Sequence, residues 1–250
     1  MIETVQLRLI GYEDRPAADL RLVNGRSYGI YDAGDGMASA LLRALAGAEL
    51  PAFGSVRVGG FDTATEPEKV GLCLGFCSSE SEYYDAMTVW DLMRFVSGMR
   101  GEEGSRGARD VHAILERLDI DDLRNRRLGA LDPDDRRRAG LAQALIGNPD
   151  MLFLDNPTKG LKPNEAQALR EDIAALVEEG KTVYLATDHA AEAEALCNRF
   201  LFCDENGVTQ PTDKAGLEDE TGTPSRAQAL FRKALARRDG TDAGKEEREL

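Results

Sequence analysis

Two histidines, one tryptophan and four cysteines are all that 250 residues contain of those types. His112 and His189 leave little scope for a metal site, and no serine or cysteine nucleophile stands in a triad-like setting. Cys73, Cys77, Cys197 and Cys203 form no CxxC pair and no disulfide-dense pattern, which fits a reducing compartment. The Cys73/Cys77 spacing flanks an apolar run with no histidine near it, so both read as small buried hydrophobes rather than a metal clip. No stretch approaches the roughly 20 apolar residues of a membrane span. The start, MIETVQLRL, lacks the basic-then-apolar order of a signal peptide, so a cytoplasmic protein is expected. Positive charge is also short: 31 Lys and Arg against 45 Asp and Glu give a formal net charge of −14. That balance argues against nucleic acid or an anionic membrane surface as a partner.

What is present is an alternation of two periods. Apolar and β-branched residues predict strands near 3–10, 19–23, 27–31, 55–58 and 70–76. After residue 78 the pattern turns helical for some sixty residues. It then resumes as strand (DMLFLD), helix (164–179), strand (TVYLAT), helix (189–196) and strand (RFLFCD). Helix 164–179 is well punctuated, with Pro163 opening it, Ala166, Leu169, Ile173 and Leu176 on one stripe, and Gly180 closing it. Such an order predicts an α/β fold with a mostly parallel core sheet covered on both faces, interrupted by a helical lobe at about 79–135. Residues 1–211 read as one domain. From 212 the chain becomes charged and small, with one amphipathic helix near 225–237 and a disordered end.

The stretch YGIYDAGDGMASALLRALAG, residues 28–47, has the frame of a phosphate-binding loop: an apolar strand, a glycine-bearing turn, a helix. Such loops wrap phosphates with backbone N–H groups and pair them with a lysine. Here Ala38 stands at the lysine position, Met37 at the glycine before it, and Asp32 and Asp35 stand where a polyanion would approach.

Over residues 2–205 the series of segments resembles the ATP-binding subunit of an ABC transporter. RRRAGLAQALIGNPDMLFLDNPTKGLKP, residues 136–163, carries the likeness furthest; LLRALAG, GSVRVGG and AEAEALCNRF add to it. Compact length and the AEALC ending are most similar to subunits of bacterial exporters. The resemblance implies a P-loop NTPase-like domain with a small antiparallel β part, and it assigns phosphate-handling positions. Tyr12 falls at the adenine-stacking position; Gly34, Gly36, Ala38 and Ser39 lie in the P-loop, and Ser79 at the Q-loop glutamine. The signature becomes LDPDD, with Asp132, Asp134 and Asp135. Asp155 keeps the Walker B carboxylate, Asn156 replaces the catalytic glutamate, Lys162 the D-loop aspartate and Asp188 the switch histidine. The implication is a catalytically degenerate subunit, with no catalytic residue, no metal of its own and magnesium–ATP bound at most weakly.

The aspartates suggest why. Asp132 is a good N-cap, Pro133 suits the first helical position, and Asp134 and Asp135 fill the first turn, where carboxylates complement the helix dipole. Asp35 is placed to do the same ahead of Met37. Internal carboxylates would then satisfy both helix starts that a nucleotide otherwise occupies. Since family members pair head to tail, an acidic signature would meet Asp32 and Asp35 in a homodimer, which favours a heterodimer with a lysine-bearing partner. Lys162 pulls the other way, towards self-pairing. Separate transmembrane subunits are implied, with the chain on the inner face of the membrane; Tyr83, Tyr84, Met87, Trp90, Met93 and Phe95 lie in or beside the segment that usually makes that contact. Two alternatives stay open: a soluble scaffold that reuses the fold without transport, and an unconventional nucleotide binder working through Tyr12, Ser39 and Asp155.

Overall fold

The computed structural model describes residues 1–32, 34–78, 85–102, 104–187, 189–218 and 226–238. Ser79, Tyr83, Tyr84 and Asp188 lie outside the described residues. In chain order the first half forms β1 (Ile2–Arg8), β2 (Arg21–Leu22), β3 (Ser27–Asp32), α1 (Met37–Ala46), β4 (Phe53–Val58), β5 (Phe61–Asp62), α2 (Pro67–Cys73) and β6 (Leu74–Ser78). The lobe follows as α3 (Val89–Met99), α4 (Gly104–Arg117), two short 3-10 turns and the start of α5 (Pro133–Leu145). Then come β7 (Met151–Asp155), α6 (Pro163–Glu178), β8 (Thr182–Thr187), α7 (Ala190–Leu196) and β9 (Arg199–Asp204). Two hairpin strands, β10 (Gly207–Val208) and β11 (Thr212–Asp213), and two helices, α8 (Lys214–Glu218) and α9 (Arg226–Arg238), close the described chain.

Strands buried on both faces have no polar side to present, and such strands belong in the middle of a parallel sheet. Every residue of β7 and β8 is buried, and both run parallel in the order β9-β3-β8-β7-β6. β10 and β11 extend the sheet antiparallel on β9. A separate antiparallel sheet, β2-β1-β4-β5, packs with α1 on one side. On the other side the lobe helices with α5, α6, α7 and α9 form a second core. Side-chain alternation sorts the strands between the two: Leu152 and Leu154 face the lobe side, Met151 and Phe153 the α1 side. There Tyr184 stacks between Tyr28, at 5.1 Å, and Phe153, at 4.6 Å between ring centres.

Sequence periodicity and structure part at 70–76. The expected strand is instead the second half of α2 followed by β6. Pro67 presets the first helical residue, and of α2 only Val70 is buried; the apolar run VGLCLGF hides this boundary because it has neither period. The charged segment from 212 is also more than an appendage. β11 pairs with Arg199 and Phe200, and Phe231 of α9, buried, sits against Phe200 and Phe202. Of the four cysteines, Cys77, Cys197 and Cys203 are buried and Cys73 is half-buried; burial pushes the Cys77 thiol up to about 11.

α3 begins in a capping box: Thr88 Oγ1 accepts from the Asp91 N–H, and the Asp91 carboxylate accepts from the Thr88 N–H. α5 lies backbone-to-backbone on β6, where a Cβ on Gly75 would stand 1.8 Å from the Ala144 carbonyl oxygen. The Gly75→Ala variant is expected to lose about 3 kcal/mol, since neither backbone can yield without separating helix from sheet; urea denaturation measures it.

Candidate functional site

Parallel strands place their carboxyl ends along one edge, and this is where open α/β sheets hold ligands. The register brings Asp32, Asp155 and Thr187 to that edge: Tyr31 pairs with Thr187, and Asp155 with Ala186. Between β3 and α1 the turn needs left-handed backbone, supplied by Gly34 at φ 97° and Gly36 at φ 83°. Gly36 is the N-cap of α1 and provides no side chain to satisfy the first amides.

Asp32 satisfies them. One carboxylate oxygen accepts from the Gly34 N–H at 2.7 Å, the other from the Ala38 N–H at 2.7 Å. Asp32 is only 5% exposed, so this anion has left water for two amides and the positive end of a ten-residue helix. Asp35, expected to do this work, takes the lesser share, accepting from the Met37 N–H at 3.2 Å. The Tyr12 hydroxyl donates to the Asp35 carbonyl at 2.6 Å, which folds the ring down against the turn at Gly36. Burial, and after it the nearby Asp35, raise the Tyr12 pKa. Met37 and Ala38 are buried in the core below.

One helical turn carries Ser39 to β7. Its hydroxyl donates to Asp155 Oδ1 at 2.5 Å. Asn156 Nδ2 donates to the same oxygen at 3.2 Å and to Ser39 Oγ at 3.1 Å. The second oxygen of Asp155 faces Arg43 Nη1 at 3.3 Å, while Arg43 Nε reaches Glu49 at 3.3 Å. Both oxygens of a carboxylate only 4% exposed thus meet donors of the chain itself. Arg43 escaped the sequence reading, although an arginine four residues after Ser39 lies on its helix face. Asn156 adopts φ 46°, a conformation asparagine tolerates, and its Oδ1 is buried without a partner among the described residues. These side chains, with Gly34, Gly36, Lys159 and Thr187, line a cleft of about 230 Å³.

Tested against the magnesium–nucleotide that the resemblance implies, this arrangement is a mismatch. A phosphate would have to displace Asp32 from the loop amides, and a metal ion on Asp155 would have to displace the Arg43 guanidinium. Among the described residues no His/Cys/Asp/Glu cluster suits a metal.

At the other helix start the sequence reading holds. Asp132 caps α5 by accepting from the Asp135 N–H at 2.9 Å. Asp135 pairs with Arg126 at 3.1 Å and Asp134 with Arg138 at 3.6 Å; burial raises the pKa of both carboxyls. Lys162 is drawn back to Glu165 at 2.7 Å. Met93 belongs to the core, Met87 and Trp90 are packed against it, and Phe95 is exposed.

Two further residues tie the edge together. Arg137, the middle of three consecutive arginines, is the buried one: it donates to the carbonyls of Asn156 at 2.9 Å, Pro157 at 2.7 Å and Lys159 at 3.4 Å. Glu192, buried, accepts from Thr158 Oγ1 at 2.6 Å and Thr187 Oγ1 at 2.7 Å. The only sequence signal for either is a charge inside an otherwise apolar helical stripe.

A family model described as ABC transporter matches residues 33–159. ATP-binding cassette sub-family A member 7 of Rattus norvegicus is 28% identical over 188 residues, 74% of this chain but 9% of that protein. The daunorubicin/doxorubicin resistance ATP-binding protein DrrA of Streptomyces peucetius is 28% identical over 205 residues, 82% of this chain and 62% of that one. The chain therefore spans less than two thirds of either relative. A solved structure titled as the ATP-binding subunit of an ABC transporter superposes with a TM-score of 0.80 at 17% identity, covering 94% of this chain and 99% of the other. It establishes the fold.

Replacing Arg137 by Met is expected to cost about 2–3 kcal/mol, because three carbonyls, that of Pro157 buried, lose a charged donor. Arg137→Lys should recover only part, a single ammonium being unable to span them. Denaturation midpoints of the two variants check both statements.

Proposed function

We propose that this chain, which belongs to the ABC transporter family, is a catalytically degenerate ATP-binding-type subunit. It pairs with a second, competent ATP-binding subunit and docks on separate transmembrane subunits at the inner face of the membrane. The resistance function in the name of DrrA supports an exporter. The observation that carries the reading is the Asp32 carboxylate on the amides of Gly34 and Ala38, where a phosphate would have to bind. Around it Ala38 supplies no lysine charge, and Asn156 supplies no carboxylate to polarise a water, a general-base contribution of roughly 10²–10⁴-fold. Ser79 and Asp188 extend the series in sequence.

The structure's charge arrangement also bears on the partner. With Lys162 held by Glu165, the one cation that favoured self-pairing is engaged within its own helix start. In a homodimer the exposed Asp132 and Asp35 would then face each other, while Asp134 and Asp135 are paired with Arg138 and Arg126. A partner with a lysine-bearing loop meets the acidic helix start with opposite charge. No described helix is long and apolar enough to cross a membrane, so the membrane part lies outside these elements.

Affinity purification from detergent-solubilised cells, with mass spectrometry of what stays bound, tests the reading directly. A polytopic membrane protein together with a motif-intact ATP-binding subunit is the expected result; soluble proteins alone would replace transport by a scaffold role. Calorimetry of the isolated chain should detect no magnesium–ATP binding at millimolar concentration. Size-exclusion chromatography with light scattering should show no homodimer.

A further inference from the structure

We infer that Asp32 and Arg43 form a built-in substitute for a bound oxyanion and its counter-cation, so that the chain carries its own ligand pair. This rests on the degenerate-subunit reading and deepens it: the cleft is closed by chemistry and not merely eroded.

The geometry is that of a liganded site. The two oxygens of Asp32 address two different amides, Gly34 and Ala38, each at 2.7 Å, as two oxygens of one phosphate would. Three residues separate Gly34 from Ala38, so a single carboxylate closes the turn as a clasp. On the far wall, Asp155 needs a cation or a set of donors to be kept 4% exposed, and Arg43, Ser39 and Asn156 provide them. The cleft lining then holds two carboxylates, Asp32 and Asp155, and two cations, Arg43 and Lys159. Ser39 and Arg43 lie one turn apart on α1, so the helix that Asp32 starts is also the helix that neutralises Asp155. Asp32 thereby fastens β3 to α1, and Arg43 fastens α1 to β7.

Removing the tethered anion should expose a seat for a free one: two amides, a helix start and, nearby, the guanidinium of Arg43 and the ammonium of Lys159. The fitting ligand is a small tetrahedral oxyanion of the phosphate class. The experiment is chemical rescue. Thermal midpoints of the full-length wild type and of Asp32→Gly are measured in sodium phosphate and in sodium chloride of equal ionic strength. The expected result is a midpoint several degrees lower for Asp32→Gly in chloride, at least half of it restored by inorganic phosphate at 10–50 mM (an order-of-magnitude range for a site of roughly millimolar affinity). The wild type should respond to neither phosphate nor magnesium–ATP. Adding Arg43→Gln to Asp32→Gly should abolish the rescue, and phosphorus-31 line broadening should follow the same order across the three proteins.

Should Asp32→Gly not fold, the isosteric Asp32→Asn serves instead. Its carboxamide offers one acceptor for two amides, so hydrogen exchange at Gly34 or Ala38 should speed up at least tenfold. An Asp32→Gly midpoint equal to wild type, an equal phosphate response in wild type, or unchanged exchange in Asp32→Asn overturns the inference. A wild type stabilised by magnesium–ATP instead defeats the reading beneath it; a nucleotide-blind wild type whose variant is not rescued defeats the inference alone.

Discussion

A carboxylate removed from water must find donors or lose its charge, and Asp32 finds two amides at the start of α1. Much of the sheet edge depends on that contact. It fixes the turn between β3 and α1, which sets where α1 begins. The position of α1 decides whether Ser39 and Arg43 reach Asp155, and Asp155 in turn ends a strand buried at every residue. An apolar residue at 32 would leave the buried Ala38 amide unanswered, a cost of about 1–3 kcal/mol.

Arg137 and Glu192 apply the same logic to the neighbouring loop. The segment after β7 turns away from the sheet, and Arg137 answers its carbonyls at 156, 157 and 159. Glu192 joins Thr158 of that segment to Thr187 at the end of β8. The loop after Asp155 is therefore gripped from α5 on one side and α7 on the other. Both grips are made within the chain: side chains answer polar groups that would otherwise need water or a ligand, with Asn156 Oδ1 the exception. Such satisfied networks hold one geometry, because any alternative strands a buried charge.

The parts legible in sequence were those with a period or a cap. β7, β8, β9 and helix 164–179 follow from apolar runs bounded by turn residues, and the α5 start follows from Asp132, Pro133 and the two acids behind it. The resemblance supplied the order of segments and the positions of Tyr12, Ser39 and Asp155. What sequence could not supply was direction. Asp32 and Asp35 are equivalent as letters, yet only a side chain at the end of β3 points back across the turn to reach both Gly34 and Ala38. Arg136, Arg137 and Arg138 are equally alike in sequence, and helix phase alone buries the middle one. The strand misplaced at 70–76 has the same origin, an apolar run with no period until α5 lies on Gly75.

Under the proposed function, a site whose polar groups are taken up by its own side chains has a consequence for control. A ligand shifts a conformational equilibrium only through its differential affinity for the two states, and one that does not bind shifts nothing. With Asp32 on the loop amides and Arg43 on Asp155, the joint between β3, α1 and β7 already has the bonds a nucleotide would offer it. Under the proposed function, any nucleotide-driven movement of an assembly containing this chain must then originate in sites built on the partner's own loop. This subunit would contribute a constant surface against which the partner changes, including the start of α5 held by Arg126 and Arg138. Asymmetry of this kind needs no new fold, only one carboxylate placed two residues before Gly34.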